Sequence, residues 1–557
     1  MAISSIAIRP SAVEIARTAA AAMPAEVSTK PLLGILGVVT GAGVVTLTSR
    51  MISLGLPDFR ALHGFGYDES AWIGTAFDAG LMFIGPFIVY LGGLMGPRRI
   101  LLKAAGLFSV LLIILPLVHS HSLVIAIALL CGLTSGTFYP LTLTFALRNI
   151  PLRYLPFTLA LYATFVDGAV NIAPSLYGWY RDHFSPNWMF WNSALITPVM
   201  MICVYYGIPS ANSPKTTEKV PSFAGFLYAS LGLAMLLAAC EQGERLDWWR
   251  SGVFNALFAG GTFLLLCALV RRLRGPNPLV ALPYLLKWNT VLLGSLLFWF
   301  RFTLCTTIVL VPQALAIRGF EPSQIGPAII WSAIPLIPLA FMAALLLLCK
   351  VDPRLLFAVG LACTALAAWL NSQYSSGWAA ENFYRTEMVT GIGQAFAFIG
   401  LVGCIVLQAI FAGALAKPEW VLTFSAYFHT IRIFGGTAGA IYMGHFLAQR
   451  EKLHSNLLGL HVSGGNWITG LNIRAATASL YGKSPGLSLA GTRAIDLIAA
   501  RLRLQAYSLS IIEGFLLIAW SCACALILVA LLRQSPLDYG DLSTMQQIPT
   551  SDKGSNR

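Results

Sequence analysis

The stretch LLGILGVVTGAGVVTLTSRMISLGLP, residues 32–57, decides the class of fold. In these 26 residues Arg50 is the single charged side chain. An α-helix that crosses the hydrocarbon core of a bilayer needs about 20 consecutive, mostly apolar residues. The stretch is therefore predicted to be a membrane-spanning helix that carries one arginine within the membrane.

The composition of the whole chain has the same character. Of its 557 residues, 57% are hydrophobic and 11% are charged, whereas soluble domains have about 25% charged residues. The formal net charge of +13 comes from short basic clusters between apolar runs, which is typical of a polytopic membrane protein and not of a DNA-binding face. The composition argues against a soluble enzyme, a nucleic-acid-binding protein and a disordered scaffold.

Apolar runs of spanning length occur about fourteen times along the chain. Proline and glycine are frequent within them, which membrane helices tolerate because neighbouring helices satisfy the freed backbone groups. The predicted spans are 32–57, 70–92, 99–118, 122–147, 154–178, 189–208, 222–240, 252–270, 288–312, 324–349, 354–371, 386–412, 420–446 and 508–532.

The distribution of charge between the spans predicts the orientation in the membrane. The turn after the second span carries Arg98, Arg99 and Lys103, whereas the turn after the first span carries the acidic residues Asp58 and Asp68. Lysine and arginine are enriched in cytoplasmic loops. Because the number of spans is even, both termini are predicted to be cytoplasmic, in a multi-pass protein of the inner cell membrane.

Three segments outside the spans are more polar. Residues 448–507 contain Ser, Gly, His and Asn with weak periodicity. We interpret them as a solvated external loop or, alternatively, as a docking surface for a partner in the cell envelope. The segment 1–31 and the tail 533–557 are predicted to lie in the cytoplasm.

Charged residues within the spans are the candidates for function. A charge at the centre of a membrane helix costs about 2.5–3.5 kcal/mol on insertion scales, and such residues usually face a cavity or a partner. Arg50 and Asp78 lie at similar depth on neighbouring spans and are predicted to pair. Asp78 or Asp167 is hypothesised to carry a proton, because a carboxyl group that alternates between environments can load and release one. The alternative is that these charges only hold helices together.

The thirteenth span combines a histidine and an arginine with closely spaced glycines. His429 and Arg432 lie one turn apart, and Gly435 and Gly439 have a spacing that permits close helix packing. His429 is interpreted as a packing residue or, alternatively, as a proton relay. The sequence has no convincing metal-ligand spacing, phosphate-binding loop or catalytic nucleophile. We therefore expect no cofactor and no enzyme activity, with the proton gradient as the energy source.

Two motifs in the first half resemble those of the major facilitator superfamily, and within it the fourteen-helix drug:proton antiporters of the EmrB/QacA type. Leu47–Pro57 (LTSRMISLGLP) is similar to the family's first-helix motif. Ala173 and Pro174 with Gly178, followed by WMFWN at 188–192, resemble the antiporter motif of helix five.

Two further motifs extend the resemblance, which covers about residues 32 to 532. The sequence EQGERLDWW at 241–249, with NPLV at 277–280, is similar to the two extra central helices of this family and their exit. Arg432 with Gly435 and Gly436 resembles a helix-thirteen signature. Together the four motifs are fairly specific.

The usual coupling residues of the family are absent. Thr48 stands in place of the family's first-helix Asp, and Ala128 in place of the helix-four Arg associated with proton transfer. The loop motif between helices two and three is contracted to GGLMGPRR at 92–99 and lacks its acid. Coupling is therefore expected to use Asp78, Asp167 or Glu387.

The resemblance implies an all-α major-facilitator fold, in which two six-helix bundles (32–208 and 276–532) surround a central cavity and a linker, 209–275, contributes two inserted helices. The candidates for substrate contact or charge pairing are Arg50, Asn171, Arg301, His429 and Arg432. The candidate cavity aromatics are Trp299, Phe300, Phe302, Tyr427 and Phe428. The gating and packing candidates are Gly92, Arg98, Arg99, Pro174, Gly178, Gly435, Gly436 and Gly439.

The function expected from these residues is proton-coupled export of hydrophobic small molecules by alternating access. Three intramembrane arginines (Arg50, Arg301 and Arg432) against two mid-membrane aspartates favour anionic or weakly acidic substrates. One alternative is a proton-driven permease for an organic acid or siderophore, on the same fold. Alternatives from a different class of protein are a membrane enzyme and a non-transporting sensor. The expected partners are the lipid bilayer, a small hydrophobic substrate and, in a cell with two membranes, a periplasmic adaptor with an outer-membrane channel. No nucleic-acid partner is expected.

Overall fold

The computed structural model describes residues 30–141, 145, 150, 154–208, 223–274, 286–411, 418–462, 465–482, 486–535 and 538–540. Within these ranges the chain forms helices and no β-strand. The helices are α1 (Pro31–His63), α2 (Tyr67–Met95), α3 (Pro97–Ile114), α4 (His121–Ser135), α5 (Leu155–His183), α6 (Trp188–Gly207), α7 (Phe223–Gly243), α8 (Gly252–Arg274), α9 (Trp288–Ala316), α10 (Pro322–Leu348), α11 (Pro353–Asn371), α12 (Ala380–Phe411), α13 (Pro418–Gly459), α14 (Trp467–Tyr481) and α15 (Leu487–Ala530).

The ends of the helices follow from local sequence. The first helix has Pro31 at its N-terminus, where a missing backbone N–H leaves no donor unsatisfied. It ends at Gly64, whose φ of 69° lies in the left-handed region that glycine adopts without strain. At the start of α2 the Glu69 carboxylate accepts a hydrogen bond of 3.0 Å from the backbone N–H of Gly66. These signals keep the connection between α1 and α2 short.

Thirteen of the helices in the described ranges, α1–α12 and α15, are long and apolar enough to cross a membrane by length and composition. The fourteenth predicted span, 420–446, lies within the 42-residue helix α13. This helix is more polar than the others because it carries His429, Arg432 and His445. The prediction of an all-α polytopic membrane protein is confirmed.

The segment 448–507 differs from the prediction of a loop. The helix α13 continues to Gly459, α14 occupies Trp467–Tyr481, and α15 begins at Leu487, well before the predicted span at 508. Among the described residues of this segment, 460–462, 465, 466, 482 and 486 lie outside the helices, and the polar composition of the segment obscured the helical pattern. Arg450 and His454 on α13 bind Glu513 on α15, which joins the two long helices beyond the predicted ends of their spans.

The first six helices pack together as one bundle and the last six spanning helices as another. In the first bundle α1 packs against α5 and α6, α2 against α4, and α3 against α4 and α6. In the second bundle α12 packs against α10 and α11, and α15 against α11 and α13. The two bundles meet chiefly where α5 packs on α10 and α12, and where α2 packs on α13.

The inserted helices α7 and α8 pack against each other, and α7 packs on α2. Polar contacts hold this pair in place: Arg245 binds Asp68 at 2.8 Å, and Gln242 donates to Thr75 Oγ1 at 2.6 Å. On the other side, His445 of α13 contacts Glu244. The pair therefore touches both bundles, while α8 is largely exposed along its outer face.

Candidate functional site

A central cavity lies between the two bundles. Three helices of the second bundle line it with residues at helical spacing, so that one face of each helix is turned inward. The lining is formed by Val38 and Val39 of α1, Tyr139 after α4, Thr158, Leu159 and Tyr162 of α5, Leu297, Phe300 and Arg301 of α9, Phe398, Leu401, Val402 and Ile405 of α12, and Ser425, Phe428, His429 and Arg432 of α13. Most of this surface is apolar.

The cavity is narrow in the conformation observed. Its volume of about 80 Å³ exceeds the ~10–15 Å³ needed by one water molecule. A hydrophobic small molecule is larger than a few waters. Binding of such a substrate therefore requires the bundles to move apart.

Three buried charges surround one side of the cavity. The carboxylate of Asp167, which is 1% exposed, interacts electrostatically with the guanidinium groups of Arg301 and Arg432. Neither arginine comes within 4.0 Å of the carboxylate in the part of the chain that the structure describes. Both oxygens of Asp167, and Nε and NH1 of each arginine, are buried without a hydrogen-bond partner among the described residues. We name these three residues the central charge cluster.

Tyr139 positions Arg432, and Gly436 leaves room for Arg301. The guanidinium of Arg432 stacks 3.6 Å from the ring centroid of Tyr139, a cation–π contact. The hydroxyl of Tyr139 in turn forms a short hydrogen bond with Thr46 of α1. Arg301 lies against Gly436, where a Cβ atom would come 3.4 Å from NH2. Tyr139 gave no sequence signal, because it is one uncharged aromatic among many in the spans.

A second polar group, formed by uncharged residues and one carboxyl, joins the bundles. Asn171 of α5 donates to the Gln394 carbonyl of α12 at 2.7 Å. The Gln394 amide donates to Thr307 at 3.4 Å, and Thr307 donates to Glu387 at 3.4 Å. We name these four residues the inter-bundle network. Asn171 and Glu387 were predicted as candidates, whereas Gln394 and Thr307 were not.

The predicted ion pair between Arg50 and Asp78 is not formed. Arg50 instead donates to the carbonyl of Ile308 at 3.0 Å, in the π-helical turn Thr306–Leu310 of α9. Although α1 and α2 are neighbours, Arg50 is turned toward α9 and Asp78 toward α7. Matching depth on two helices does not by itself bring two side chains together.

Asp78 faces a second acid. Its carboxyl group contacts that of Glu241 on α7, and Ser49 donates to Asp78 at 3.5 Å. Glu241 was interpreted from the sequence as a loop residue, because it is followed at once by the charged residues Glu244 and Arg245.

Glu244, just beyond α7, lies where the inserted pair meets α13. Burial alone would raise its pKa. Hydrogen bonds from His445 and from the Trp248 indole outweigh that effect and hold the pKa of Glu244 below its ordinary value. The carboxylate is thus held ionised at the contact between the inserted pair and the second bundle.

Two of the five predicted cavity aromatics line the cavity. Phe300 and Phe428 do so, and Tyr139, Tyr162 and Phe398 join them without having been predicted. The placement of Trp299, Phe302 and Tyr427 at the cavity was wrong. Trp299 and Phe302 contact each other edge to face and Tyr427 packs against Gly294, because these side chains point from other faces of α9 and α13.

The predicted packing glycines lie at helix contacts. Gly435 and Gly439 approach Phe298 and Phe302 of α9. In α5, which also contains Pro174, Gly178 lies against the first turn of α10, where a Cβ atom would come 2.6 Å from the Ser323 Cα. Contacts this close leave no room for a side chain.

The predicted gating residues lie at the end of the first bundle where α2 is followed by α3. Arg98 donates to the Tyr205 carbonyl at 2.8 Å, and Arg99 is exposed. Gly92 is within α2, but its surroundings and the NPLV motif at 277–280 lie outside what the structure describes.

At the end of α5 the two bundles are also joined by ion pairs. Arg181 binds Asp58 of α1 at 3.3 Å and Glu321, next to α10, at 3.4 Å. Tyr177 donates to Asp58 at 2.5 Å. These groups lie on the side predicted to be external, and we name them the outer ion pairs. Through Arg181 they connect α1 and α5 of the first bundle with Glu321 of the second.

Two helical bundles that enclose a central cavity are typical of a multi-pass membrane transporter. The chain belongs to the Major Facilitator Superfamily, whose family model matches residues 38–481. The family predicted from the sequence motifs is therefore confirmed. The proteins of this family are transporters, not enzymes.

Curated relatives and a solved structure are similar to this chain. The probable multidrug resistance protein EmrY of Escherichia coli (strain K12) is 25% identical over 74% of this chain and 79% of its own length. The fatty acid resistance protein FarB of Neisseria gonorrhoeae is 21% identical over 80% of this chain and 85% of its own length. The crystal structure of the human organic anion transporter MFSD10 (TETRAN) matches with a TM-score of 0.50 and 12% identity, covering 88% of this chain and 99% of that one, which shows a shared fold.

Proposed function

We propose that this protein exports hydrophobic small molecules in exchange for protons, by alternating access of the central cavity to the two sides of the membrane. The observation that carries this proposal is the mainly apolar cavity between the two bundles, with buried charges on one side. An apolar surface with a few directed polar groups is the usual form of a site for small organic ligands. The names of the relatives EmrY and FarB, a multidrug resistance protein and a fatty acid resistance protein, are consistent with export.

The energy source in this proposal is the proton gradient, without a cofactor. Three carboxyl groups within the spans are candidates to carry the proton: Asp78 with its neighbour Glu241, Asp167, and Glu387. Each lies at a contact between helices that can change during alternating access. Asp78 is at the inserted pair, Asp167 interacts with the two arginines that line the cavity, and Glu387 is in the inter-bundle network.

In the cell, we propose that the protein lies in the inner membrane with both termini in the cytoplasm, as the positive charges of the turns after the even-numbered spans indicate. The exposed helices between 448 and 507 would then extend from the outer face. A periplasmic adaptor with an outer-membrane channel is the proposed partner of this surface.

The test is transport by the purified full-length protein in liposomes with an imposed pH gradient and a panel of acidic, neutral and cationic dyes. In vesicles with the cytoplasmic face outward, an acidic lumen should drive dye uptake, and an ionophore that collapses the gradient should stop it. Uptake only with the reversed gradient would replace export by a proton-driven permease. Absence of gradient-dependent flux for every dye would contradict both.

The proton carrier is identified in the same assay with Asp78→Asn, Asp167→Asn and Glu387→Gln. Asp496→Asn is the matched control, because Asp496 is an exposed carboxylate on α15. The variant that removes the carrier should lose gradient-driven uptake while still exchanging substrate down its own concentration gradient. If all three variants transported like the wild type, coupling through these carboxyl groups would be wrong.

A further inference from the structure

The charges at the cavity do not balance. Arg301 and Arg432 contribute two positive charges, and Asp167 is the one carboxylate that interacts with them in the described part of the chain. An arginine side chain stays protonated in proteins. One positive charge is thus left over at a buried site, where an unneutralised charge is costly.

Part of the hydrogen-bonding capacity of the cluster is also unused. Four guanidinium nitrogens, Nε and NH1 of Arg301 and of Arg432, are buried without an acceptor among the residues described. Both arginines line the cavity, whereas Asp167 lies behind it on α5. A planar guanidinium fork matches a carboxylate in two parallel hydrogen bonds. The donors without an acceptor therefore belong to two residues that line the space a ligand would enter.

The rest of the cavity wall is hydrophobic. Leu297, Phe300, Phe398, Leu401, Val402, Ile405 and Phe428 face it, and they belong to the same three helices of the second bundle. A ligand that satisfies both parts of the wall has an anionic head group and an apolar body. A lipophilic cation would meet two fixed positive charges instead.

We propose that the cavity binds an amphipathic organic anion, with its head group held between Arg301 and Arg432, and that Asp167 is the counter-charge of these arginines when the anion is absent. The proposal rests on the proposed function, since it names the substrate class of the same cavity.

Binding of the anion is linked to protonation of Asp167. Ionised Asp167 and the bound anion compete for the same two guanidinium groups, so protonation of Asp167 strengthens anion binding. By linkage, anion binding favours protonation of Asp167 to the same extent. Proton and anion therefore bind together at this cluster. Exchange of the anion for a proton then requires a different carboxyl group, and Glu387 and the Asp78–Glu241 pair remain for that role.

The other titratable groups that interact with the cluster in the described part of the chain are Tyr139 after α4, Tyr162 on α5, Cys305 on α9 and His429 on α13. Of these, His429 could also gain a positive charge as the pH falls. A His429→Gln variant therefore has to retain the pH dependence of anion binding if Asp167 is its source.

The experiment measures equilibrium binding to the purified full-length protein in nanodiscs, independently of transport. The probes are dansyl-undecanoate, its uncharged methyl ester and a cationic dansyl-alkylamine of matched length. The acid should bind most tightly. Arg432→Gln and Arg301→Gln should each weaken the acid about tenfold or more, since a hydrogen bond to a charged group contributes about 1.5–3 kcal/mol, and should leave the ester unchanged. Arg474→Gln, an exposed arginine on α14, is the matched control.

The variant Asp167→Asn distinguishes the proposed competition between Asp167 and the anion from a merely structural role of Asp167. It should bind the acid more tightly than the wild type at alkaline pH and should lose the dependence on pH. If a glutamine variant failed to fold, Arg432→Lys, which keeps the charge but not the fork, should show an intermediate loss. Equal binding of acid and ester, or preference for the cation, would overturn the proposal. Normal anion binding without gradient-driven transport would instead contradict the proposed function alone.

Discussion

Two groups of charged residues in the described part of the chain lie where the bundles meet, and they differ in burial and in direct contact. The outer ion pairs are direct and partly exposed: Arg181 contacts both Asp58 and Glu321 within 3.4 Å. The central charge cluster is buried, and no ion pair within 4.0 Å joins its described members Asp167, Arg301 and Arg432. An exposed ion pair contributes about 0–1 kcal/mol and breaks easily, whereas buried charges are costly to keep. The outer contact therefore suits a gate, and the central cluster suits a binding site.

The largest effect is expected at the central cluster. Asp167→Asn removes the counter-charge of two buried arginines and should destabilise the protein by about 3 kcal/mol. Because an anion binds only the folded protein, dansyl-undecanoate should restore stability more in this variant than in the wild type. Thermal unfolding in nanodiscs, with and without the acid and its methyl ester, measures both effects. If the acid stabilised the variant and the wild type equally, the central charge cluster would not be the binding site of the anion. It would then not differ in this respect from the outer ion pairs.

The next effect concerns closure of the outer end. Gly178→Leu places a side chain against the backbone of Ser323, which cannot move aside, and overpacking costs about 1–3 kcal/mol. The closed conformation should be lost, so hydrogen–deuterium exchange should increase at the outer ends of α5 and α10, and transport should fall. Gly444→Leu is the matched control, because no atom lies within 4 Å of a Cβ at Gly444. An unchanged exchange rate in Gly178→Leu would show that this contact does not hold the bundles together.

An intermediate effect is expected in the inter-bundle network. Asn171→Leu or Gln394→Leu leaves a buried polar partner unsatisfied, at a cost of about 1–3 kcal/mol. The double variant removes both groups and should be less destabilised than the sum of the single variants. Thermal unfolding of the four proteins forms a double-mutant cycle. Additive losses would mean that the hydrogen bond of 2.7 Å between Asn171 and Gln394 contributes nothing to joining the bundles.

The sequence predicts how deep a residue lies in the membrane, but not which way its side chain points around the helix axis. Depth in the membrane follows from counting residues along a span at about 1.5 Å each, and charges stand out in apolar runs. Asp167, Arg301 and Arg432 were therefore found. Direction around the helix axis changes by about 100° per residue. A one-residue difference therefore decides whether a side chain lines the cavity, as Phe300 does, or lies on another face of the helix, as Trp299 does against Phe302.

Pairing between distant helices was not accessible in the same way. Arg50 and Asp78 match in depth but contact different helices. Asn171 and Gln394 form a hydrogen bond although they are 223 positions apart. The sequence around a glutamine within a span does not indicate which residue it contacts. The fold followed from apolar length, whereas the site required the rotation of each helix against its neighbours.

The smallest effect is expected at the outer ion pairs. Arg181→Gln removes both contacts of Arg181, but these groups are partly exposed, so the closed conformation should lose at most about 1 kcal/mol. Exchange at the outer ends of α5 and α10 should rise slightly, and added salt should raise it in the wild type but not in the variant, because salt screens exposed charges. Arg474→Gln should leave exchange at these positions unchanged. If Arg181→Gln opened this end as far as Gly178→Leu does, the ion pairs and not the close packing of α5 on α10 would hold the cavity shut, and the outer contact would be the stronger of the two.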